Sequence, residues 1–124
     1  KKVGILELAD SVIFTGTRND IPELLQAMDI FVFPSLYEGL SVAVIEAQVS
    51  GLRTIISNMI THEIDITDLI IRMNLNNTAK EWADKILACE PNLERKDMSL
   101  DIKNNGFDIE STTNWLTSFY LSIL

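Results

Sequence analysis

Two continuous apolar segments constrain the fold of this chain more than any other feature. Residues 29–33 read DIFVF and residues 53–57 read RTIIS, and each follows a segment whose apolar residues have helical spacing. A strand with continuous rather than alternating apolar residues is covered on both faces, as in a parallel sheet flanked by helices. The sequence therefore predicts an α/β fold, a Rossmann-like three-layer sandwich with a mainly parallel sheet.

Helical and extended segments alternate around these two strands. Turn, capping and periodicity signals predict further strands at residues 11–15 and 68–73, and helices at residues 3–9, 21–28, 41–50 and 79–89. A last amphipathic helix is predicted in a C-terminal helical segment at about residues 107–124, and we expect its apolar side to pack in the core. With 124 residues and 47% hydrophobic content, the chain is expected to form one domain over residues 1–124.

Charge and cysteine content limit the possible functions. The chain has 18 acidic and 10 basic residues, a formal net charge of -8 and a pI near 4.5. Nonspecific nucleic-acid binding depends on a basic face, so we expect no nucleic-acid partner. Cys89 is the single cysteine and no histidine and cysteine cluster has metal-ligand spacing, so we expect no disulfide and no metal. The lone cysteine and the lack of an apolar run of about 20 residues predict a cytoplasmic protein.

Glu46 occupies an unusual position in the helix predicted at residues 41–50. If this helix begins near Ser41, then Val42, Ile45 and Val49 fall on one stripe, and Glu46 falls inside it. We expect this stripe to face the core, where a carboxylate needs hydroxyl or amide partners because an unpaired buried charge is costly. Alternatively, Glu46 emerges at the sheet edge near the helix start, where the macrodipole would favour its charge by about 0.3 to 1 kcal/mol.

The segment between the strand at residues 29–33 and this helix predicts an anion site. Ligands of an open parallel sheet bind beyond the carboxyl ends of its strands, and Glu38 and Gly39 lie there. The amides of Gly39, Leu40 and Ser41, at a helix start, can donate to a phosphate. Carboxylates can accept from sugar hydroxyls, so a nucleotide sugar satisfies both groups.

A second turn is predicted at the same edge of the sheet. Gly16, Thr17 and Arg18 follow the strand predicted at residues 11–15. Arg18 could contact a phosphate or a base, and a solvated arginine is the alternative. His62 follows the strand at residues 53–57; a solvated loop histidine and a catalytic acid or base both suit its position, and the sequence shows no partner for it.

Three motifs together resemble one enzyme family. VIFTG begins at Val12, IPELLQAMDIFVFPSLYEG begins at Ile21, and EAQVSG begins at Glu46. In order and spacing they closely resemble the C-terminal donor-binding domain of the family 4 retaining glycosyltransferases, which have the GT-B fold. Segments from residue 60 to residue 120 are similar to the capsular and exopolysaccharide branch. The resemblance implies one half of a GT-B fold, whose first strand and acceptor-binding N-terminal domain would precede Lys1.

The resemblance also implies roles for residues. Glu38 matches the first glutamate of the family's Glu-x7-Glu motif and would be the catalytic residue near the donor sugar and diphosphate. Glu46 matches the second glutamate, which accepts from the ribose hydroxyls. The remaining donor-binding residues would be those that offer amides to the sugar or phosphates and those of the turn against the base: Gly39, Leu40, Ser41, Gly16, Thr17 and Arg18.

The activity implied is that of a hexosyltransferase-type enzyme. It would move a sugar with retention from a nucleotide sugar, expected to be UDP-linked, to a growing polysaccharide or lipid-linked acceptor, with no cofactor and no metal. The acceptor would bind the N-terminal half, which could also contact the inner face of the cell membrane. The isolated chain is expected to be inactive.

Two departures from the family pattern leave other functions open. Ser41 stands where the family has a glycine, and residues 58–63 replace a glycine-rich segment. These differences motivate a second hypothesis, a noncatalytic nucleotide-binding or assembly module of the same fold. A sugar-nucleotide epimerase, which shares the GT-B architecture, is the third.

Overall fold

The computed structural model describes residues 1–89 and 94–123. Its sheet has three parallel strands in the order β1-β2-β3: β1 (Ile30–Phe33), β2 (Arg53–Ser57) and β3 (Ile70–Met73). The strands pair in continuous register along their whole length. The predicted α/β class and parallel sheet are therefore confirmed.

Helices connect and follow the strands. The α-helices are α1 (Lys2–Ile5), α2 (Ile21–Ala27), α3 (Val42–Val49), α4 (Ala79–Leu87), α5 (Ser99–Asn104) and α6 (Ile109–Ser122). In the part of the chain that the structure describes, two short 3-10 helices occupy Ala9–Ser11 and His62–Ile64. Within the described ranges, no helix is both long enough and apolar enough to cross a membrane.

The core lies mainly between the sheet and the helices α3 and α5. Six buried residues form its largest cluster, against which Phe31 and Phe33 pack: Val44, Ile45, Ile56, Ile60, Ile64 and Ile102. Side chains alternate between the faces of a strand, so Val32 points to the opposite face, where it lines a groove with Trp82 and Ile86 of α4. Helices thus flank both faces of the sheet, as predicted.

The prediction of a strand at residues 11–15 is wrong. Ser11 ends a 3-10 helix, and the extended segment that follows leaves Ile13 and Phe14 more than 80% exposed. In the part of the chain that the structure describes, β1 pairs with β2 alone, so no strand lies beside residues 12–15. A strand requires a hydrogen-bonded neighbour, and β-propensity in one segment cannot supply it.

The predicted core packing of the last helix is also wrong, although the helix itself is confirmed. Every residue of α6 is exposed. Trp115 stacks on Phe119 at a centroid distance of 5.6 Å, and Trp115 remains 64% exposed. Apolar periodicity shows that a helix has an apolar side, but it does not show which part of the protein covers that side.

Candidate functional site

The three strands end at one edge of the sheet because they are parallel and adjacent. β1 ends at Phe33, β2 at Ser57 and β3 at Met73. The loops at residues 34–41 and 58–61 therefore begin at the same edge. This is the edge at which ligands bind in open α/β sheets.

Glu38 is held in place by a serine of its own loop. The Ser35 hydroxyl donates to Glu38 Oε1 at 2.7 Å, and the same hydroxyl lies 3.2 Å from the Tyr37 carbonyl oxygen. Glu38 is half-buried, whereas Leu36 and Tyr37 are about 80% exposed. The loop therefore orients this carboxylate at the carboxyl edge while it presents apolar side chains to the surface.

The start of α3 offers backbone amides at the same place. The helix begins near Ser41, as predicted, and Ser41 is its N-cap residue, although the Ser41 hydroxyl makes no capping hydrogen bond. The amides of Val44 and Ile45 donate to the Ser41 carbonyl oxygen at 3.2 and 3.3 Å. Gly39 has open space where a side chain would begin. The amides that precede Val44 at this helix start have no partner within the helix, so an anionic ligand could accept hydrogen bonds from them.

The burial predicted for Glu46 is wrong. The buried residues of α3 are Val44, Ile45, Ala47 and Gln48, whereas Glu46 is exposed. Val42 is 60% exposed and Val49 is 36% exposed. Ile45 of the predicted stripe is buried, but the rest of the buried side is formed by Val44, Ala47 and Gln48, because small Ala47 allows this side to approach the sheet closely. Glu46 consequently faces α2.

Gln48 is the buried polar residue of α3, which the sequence analysis missed. Its Nε2 donates to the carbonyl oxygens of Ile64 at 2.9 Å and Val44 at 3.3 Å. Its Oε1 accepts from the amide of Thr67 at 3.1 Å and from the Thr67 hydroxyl at 2.9 Å. These bonds connect α3 to the segment before β3. The helical spacing from Val44 to Gln48 was the signal available in the sequence.

A small cavity lies beside Glu46. It is lined by Pro22 and Leu25 of α2 together with Glu46, Val49 and Ser50, and its volume is about 120 Å³. Pockets for whole small-molecule ligands have volumes of about 300 to 1,000 Å³. This cavity can therefore accommodate only part of a nucleotide sugar, and the Glu46 carboxylate stands at its wall.

The turn before α2 pairs Arg18 with Asp20. Arg18 Nε donates to Asp20 Oδ1 at 2.7 Å, and Arg18 Nη2 contacts Asp20 Oδ2. The hydrogen bond from Arg18 lowers the pKa of Asp20, and Asp20 raises the pKa of Arg18. Gly16 has a φ of 63°, which permits the turn, and Thr17 is exposed. Contact between Arg18 and a ligand would compete with this ion pair.

The loop after β2 contains a histidine with a partner that the sequence did not reveal. His62 Nδ1 lies 2.6 Å from Asp65 Oδ2, and Arg72 Nη2 lies 2.7 Å from Asp65 Oδ1. Partial burial raises the pKa of Asp65, but hydrogen bonds from Arg72 and His62 outweigh burial and bring that pKa below its usual value. Asp65 is therefore a carboxylate at neutral pH.

The predicted site residues fall into two groups in the structure. Glu38, Gly39, Leu40 and Ser41 lie together between β1 and α3. Glu46 lies on the α2 side of α3, and the residues Gly16, Thr17 and Arg18 precede α2. Across residues 1–89 and 94–123, no three histidine, cysteine, aspartate or glutamate side chains are grouped so that they could hold a metal ion.

A family model described as Glycosyl transferases group 1 matches residues 1–90. The chain belongs to the glycosyl transferases group 1 family. The match confirms the family resemblance that was inferred from the three motifs between residues 12 and 51. The parallel sheet flanked by helices agrees with the Rossmann-like half of a GT-B fold.

Several bacterial glycosyltransferases are similar to this glycosyl transferases group 1 chain. EpsF from Bacillus subtilis (strain 168), provisionally named as a glycosyltransferase, is 37% identical over 116 residues, which cover 91% of this chain and 30% of EpsF. UDP-Gal:alpha-D-GlcNAc-diphosphoundecaprenol alpha-1,3-galactosyltransferase from Escherichia coli is 32% identical over 133 residues, or 96% of this chain and 32% of the relative. Lipopolysaccharide core biosynthesis mannosyltransferase LpsB from Rhizobium meliloti (strain 1021) is 25% identical over 131 residues, or 100% of this chain and 37% of LpsB.

These matches cover only part of each relative. The chain spans about a third of the length of the relatives it matches. No solved structure matches the chain significantly.

Proposed function

We propose that this chain is the donor-binding part of a glycosyltransferase that moves a sugar from a nucleotide sugar to a polysaccharide or lipid-linked acceptor, with retention. The observation that carries the proposal is the Glu-x7-Glu spacing of Glu38 and Glu46 in a member of this family, with Glu38 at the ligand-binding edge of a parallel sheet and Glu46 beside the cavity next to α2. One relative is named as a UDP-Gal-dependent transferase with a diphosphoundecaprenol acceptor. A UDP-sugar and a lipid-linked acceptor are therefore the substrates we propose.

The loop that contains Glu38 would serve the reacting end of the donor. Ser35 orients the Glu38 carboxylate, and the backbone of Gly39, Leu40 and Ser41 lies next to it at the start of α3. These amides would hold the diphosphate as it leaves, and the carboxylate would act beside the sugar. Neither glutamate needs to be a nucleophile in this arrangement.

Glu46 would bind the ribose of the donor. Its carboxylate is exposed beside the cavity next to α2, and it can accept from two hydroxyls. Among the residues that the structure describes, none donates a hydrogen bond to the Glu46 carboxylate, so none has to be displaced when the ribose binds. Gly16 and Thr17, in the turn before α2, would lie against the base, and Arg18 would contact the nucleotide only on leaving Asp20.

The remaining parts of the proposal concern the whole protein. The acceptor would bind an N-terminal half of the full-length protein, and residues 1–124 alone would be inactive. We propose that the full-length protein works in the cytoplasm at the inner face of the membrane, where that half could contact the lipid-linked acceptor. It would require no cofactor and no metal.

Sugar transfer by the full-length protein tests this function. Purified protein would be assayed with UDP-glucose, UDP-galactose and UDP-N-acetylgalactosamine on an undecaprenyl-diphosphate-linked sugar. We expect transfer from one of these donors, and Glu38→Gln should lower kcat/KM about 100-fold because the variant lacks the charge beside the transferred sugar. Glu110→Gln, on the exposed helix α6, is the matched control and should leave transfer unchanged.

The outcomes separate this proposal from a noncatalytic module. Nucleotide-sugar binding without transfer to any acceptor would favour the noncatalytic module. Wild-type activity of Glu38→Gln would contradict the role given to Glu38.

A further inference from the structure

Arg72 fastens the loop that follows β2. Its Nη1 donates to the carbonyl oxygen of Ile60 at 2.7 Å, and its Nη2 donates to that of Thr61 at 2.8 Å. A weaker bond of 3.4 Å joins Nη1 to the carbonyl oxygen of Ser57, the last residue of β2. Since the Arg72 side chain is only 17% exposed, these are well-shielded bonds to a charged group. The backbone of this loop is therefore fixed with respect to the sheet.

Asp65 extends this network to His62. Arg72 Nε lies 3.2 and 3.1 Å from the two Asp65 carboxylate oxygens, and Nη2 lies 2.7 Å from Oδ1. The Arg72 guanidinium thus donates hydrogen bonds both to the Asp65 carboxylate and to the carbonyl groups of Ser57, Ile60 and Thr61. The second oxygen of Asp65 accepts from His62 Nδ1 at 2.6 Å. The imidazole is thus oriented by a carboxylate that is itself oriented by an arginine.

The bond to Asp65 determines what the rest of the His62 ring can do. Because the carboxylate accepts, a neutral His62 carries its proton on Nδ1, and Nε2 has an unshared lone pair. The His62 side chain is 78% exposed, and Nε2 contacts no polar group among the residues that the structure describes. An oriented, accessible acceptor of this kind suits the hydroxyl group of a ligand.

The position of His62 relates it to the proposed donor site. His62 follows the end of β2 by five residues, and Glu38 follows the end of the adjacent strand β1 by five residues. The pairing of Phe33 with Ile56 brings the two strand ends together at one edge. The two loops therefore begin at the same ligand-binding edge of the sheet.

We propose that His62 is a further donor-binding residue, whose Nε2 accepts a hydrogen bond from a hydroxyl of the sugar to be transferred. The proposal rests on the proposed function, and it assigns Asp65 and Arg72 as positioning residues that act through His62. His62 would contribute to the selection of the sugar, because an acceptor at a fixed point favours donors that carry a hydroxyl there.

Binding measurements with and without the sugar test this role. The full-length protein would be titrated calorimetrically with UDP and with the tightest-binding donor among UDP-glucose, UDP-galactose and UDP-N-acetylgalactosamine. His62→Ala should weaken binding of the UDP-sugar about fivefold to tenfold, as expected for one net hydrogen bond, and should leave UDP binding within about twofold. His62→Gln, which can place a polar atom near the Nε2 position, should recover part of the loss.

Glu63→Ala is the matched control, since Glu63 is the exposed neighbour of His62 on the same turn. It should change neither affinity. Unchanged UDP-sugar affinity in both His62 variants would overturn the proposal, and an equal loss for UDP and UDP-sugar would overturn the assignment to the sugar. If the wild-type protein bound none of these donors, the proposed function itself would fail, and that result is distinct from both. Should His62→Ala not fold, His62→Gln is compared directly with the wild-type protein. A loss of affinity for the UDP-sugar but not for UDP would support the proposal, and unchanged affinity for the UDP-sugar would overturn it.

Discussion

At the residue scale, Gly51 is restricted by two independent features. Its φ of 64° lies in the left-handed region, and a Cβ at this position would lie 2.5 Å from the carbonyl oxygen of Lys96. The glycine ends α3 and allows the chain to turn into β2 while the segment before α5 passes close by. The position of Gly51 directly after a helical segment is a sequence signal for the first feature, but the close approach of Lys96 depends on tertiary structure.

Gly51→Ala should therefore lower the free energy of unfolding by about 1 to 3 kcal/mol, because the backbone would be strained and the Lys96 carbonyl would have to move. Gly39→Ala is the matched control, since Gly39 has no left-handed φ and has open space around its Cα. It should change stability by less than about 1 kcal/mol. Urea denaturation of both variants measures the difference. Equal stability of the two variants would contradict the geometry described for Gly51.

The candidate site shows the limit of sequence reasoning at the same scale. The Glu-x7-Glu spacing was sufficient to select Glu38 and Glu46, yet the orientation of Glu46 was predicted incorrectly. Helical spacing defines stripes, but the stripe that faces the sheet depends on how closely small residues such as Ala47 can approach. His62 and Asp65 are three residues apart, and their pairing requires a 3-10 turn and Arg72, which lies on another strand.

At the element scale, the connection between β3 and the loop after β2 depends on the charge of Asp65. The pKa of Asp65 is lower in the folded chain than its ordinary value of 3.8. The unfolded chain therefore takes up the proton first as pH falls, so the stabilisation is fully present above the ordinary value. It is lost as pH falls below that value and through the lowered pKa of the folded state.

The destabilisation caused by Asp65→Asn should accordingly depend on pH. The variant should be less stable than the wild-type protein at pH 7, and the difference should shrink steadily below about pH 4 as the wild-type carboxyl becomes neutral. Chemical denaturation at several pH values measures this difference. Asp10→Asn, at an exposed position in the first 3-10 helix, provides the matched comparison. A difference that stays constant between pH 7 and pH 3 would contradict the stabilising role of the Asp65 charge.

Most elements of the fold were predictable because their signals are local. Continuous apolar runs predicted β1 and β2, and capping residues predicted the start of α4, where Thr78 and Glu81 form a capping box. The segment at residues 11–15 has the composition of a strand but has no neighbour with which to pair. The apolar side of α6 was predicted, whereas its exposure was not, because exposure depends on contacts beyond the helix.

At the scale of the whole molecule, an acidic chain is proposed to bind an anionic nucleotide sugar. With a formal net charge of -8, long-range attraction cannot supply the affinity. Binding would depend on local groups: amides at the start of α3 for the diphosphate, and the carboxylates of Glu38 at the carboxyl edge and of Glu46 beside α2 for the hydroxyls. The central claim is that Glu46 binds the ribose. Ligands that carry no transferred sugar test this claim without any contribution from the sugar or the acceptor.

The most direct test compares UDP with 2′,3′-dideoxy-UDP in the full-length protein and in its Glu46→Ala variant. The wild-type protein should bind UDP about 10- to 100-fold more tightly than the dideoxy analogue, because hydrogen bonds to a charged acceptor are lost. Glu46→Ala should bind both ligands with similar, weaker affinity. A variant that retains the wild-type preference for UDP would contradict the account.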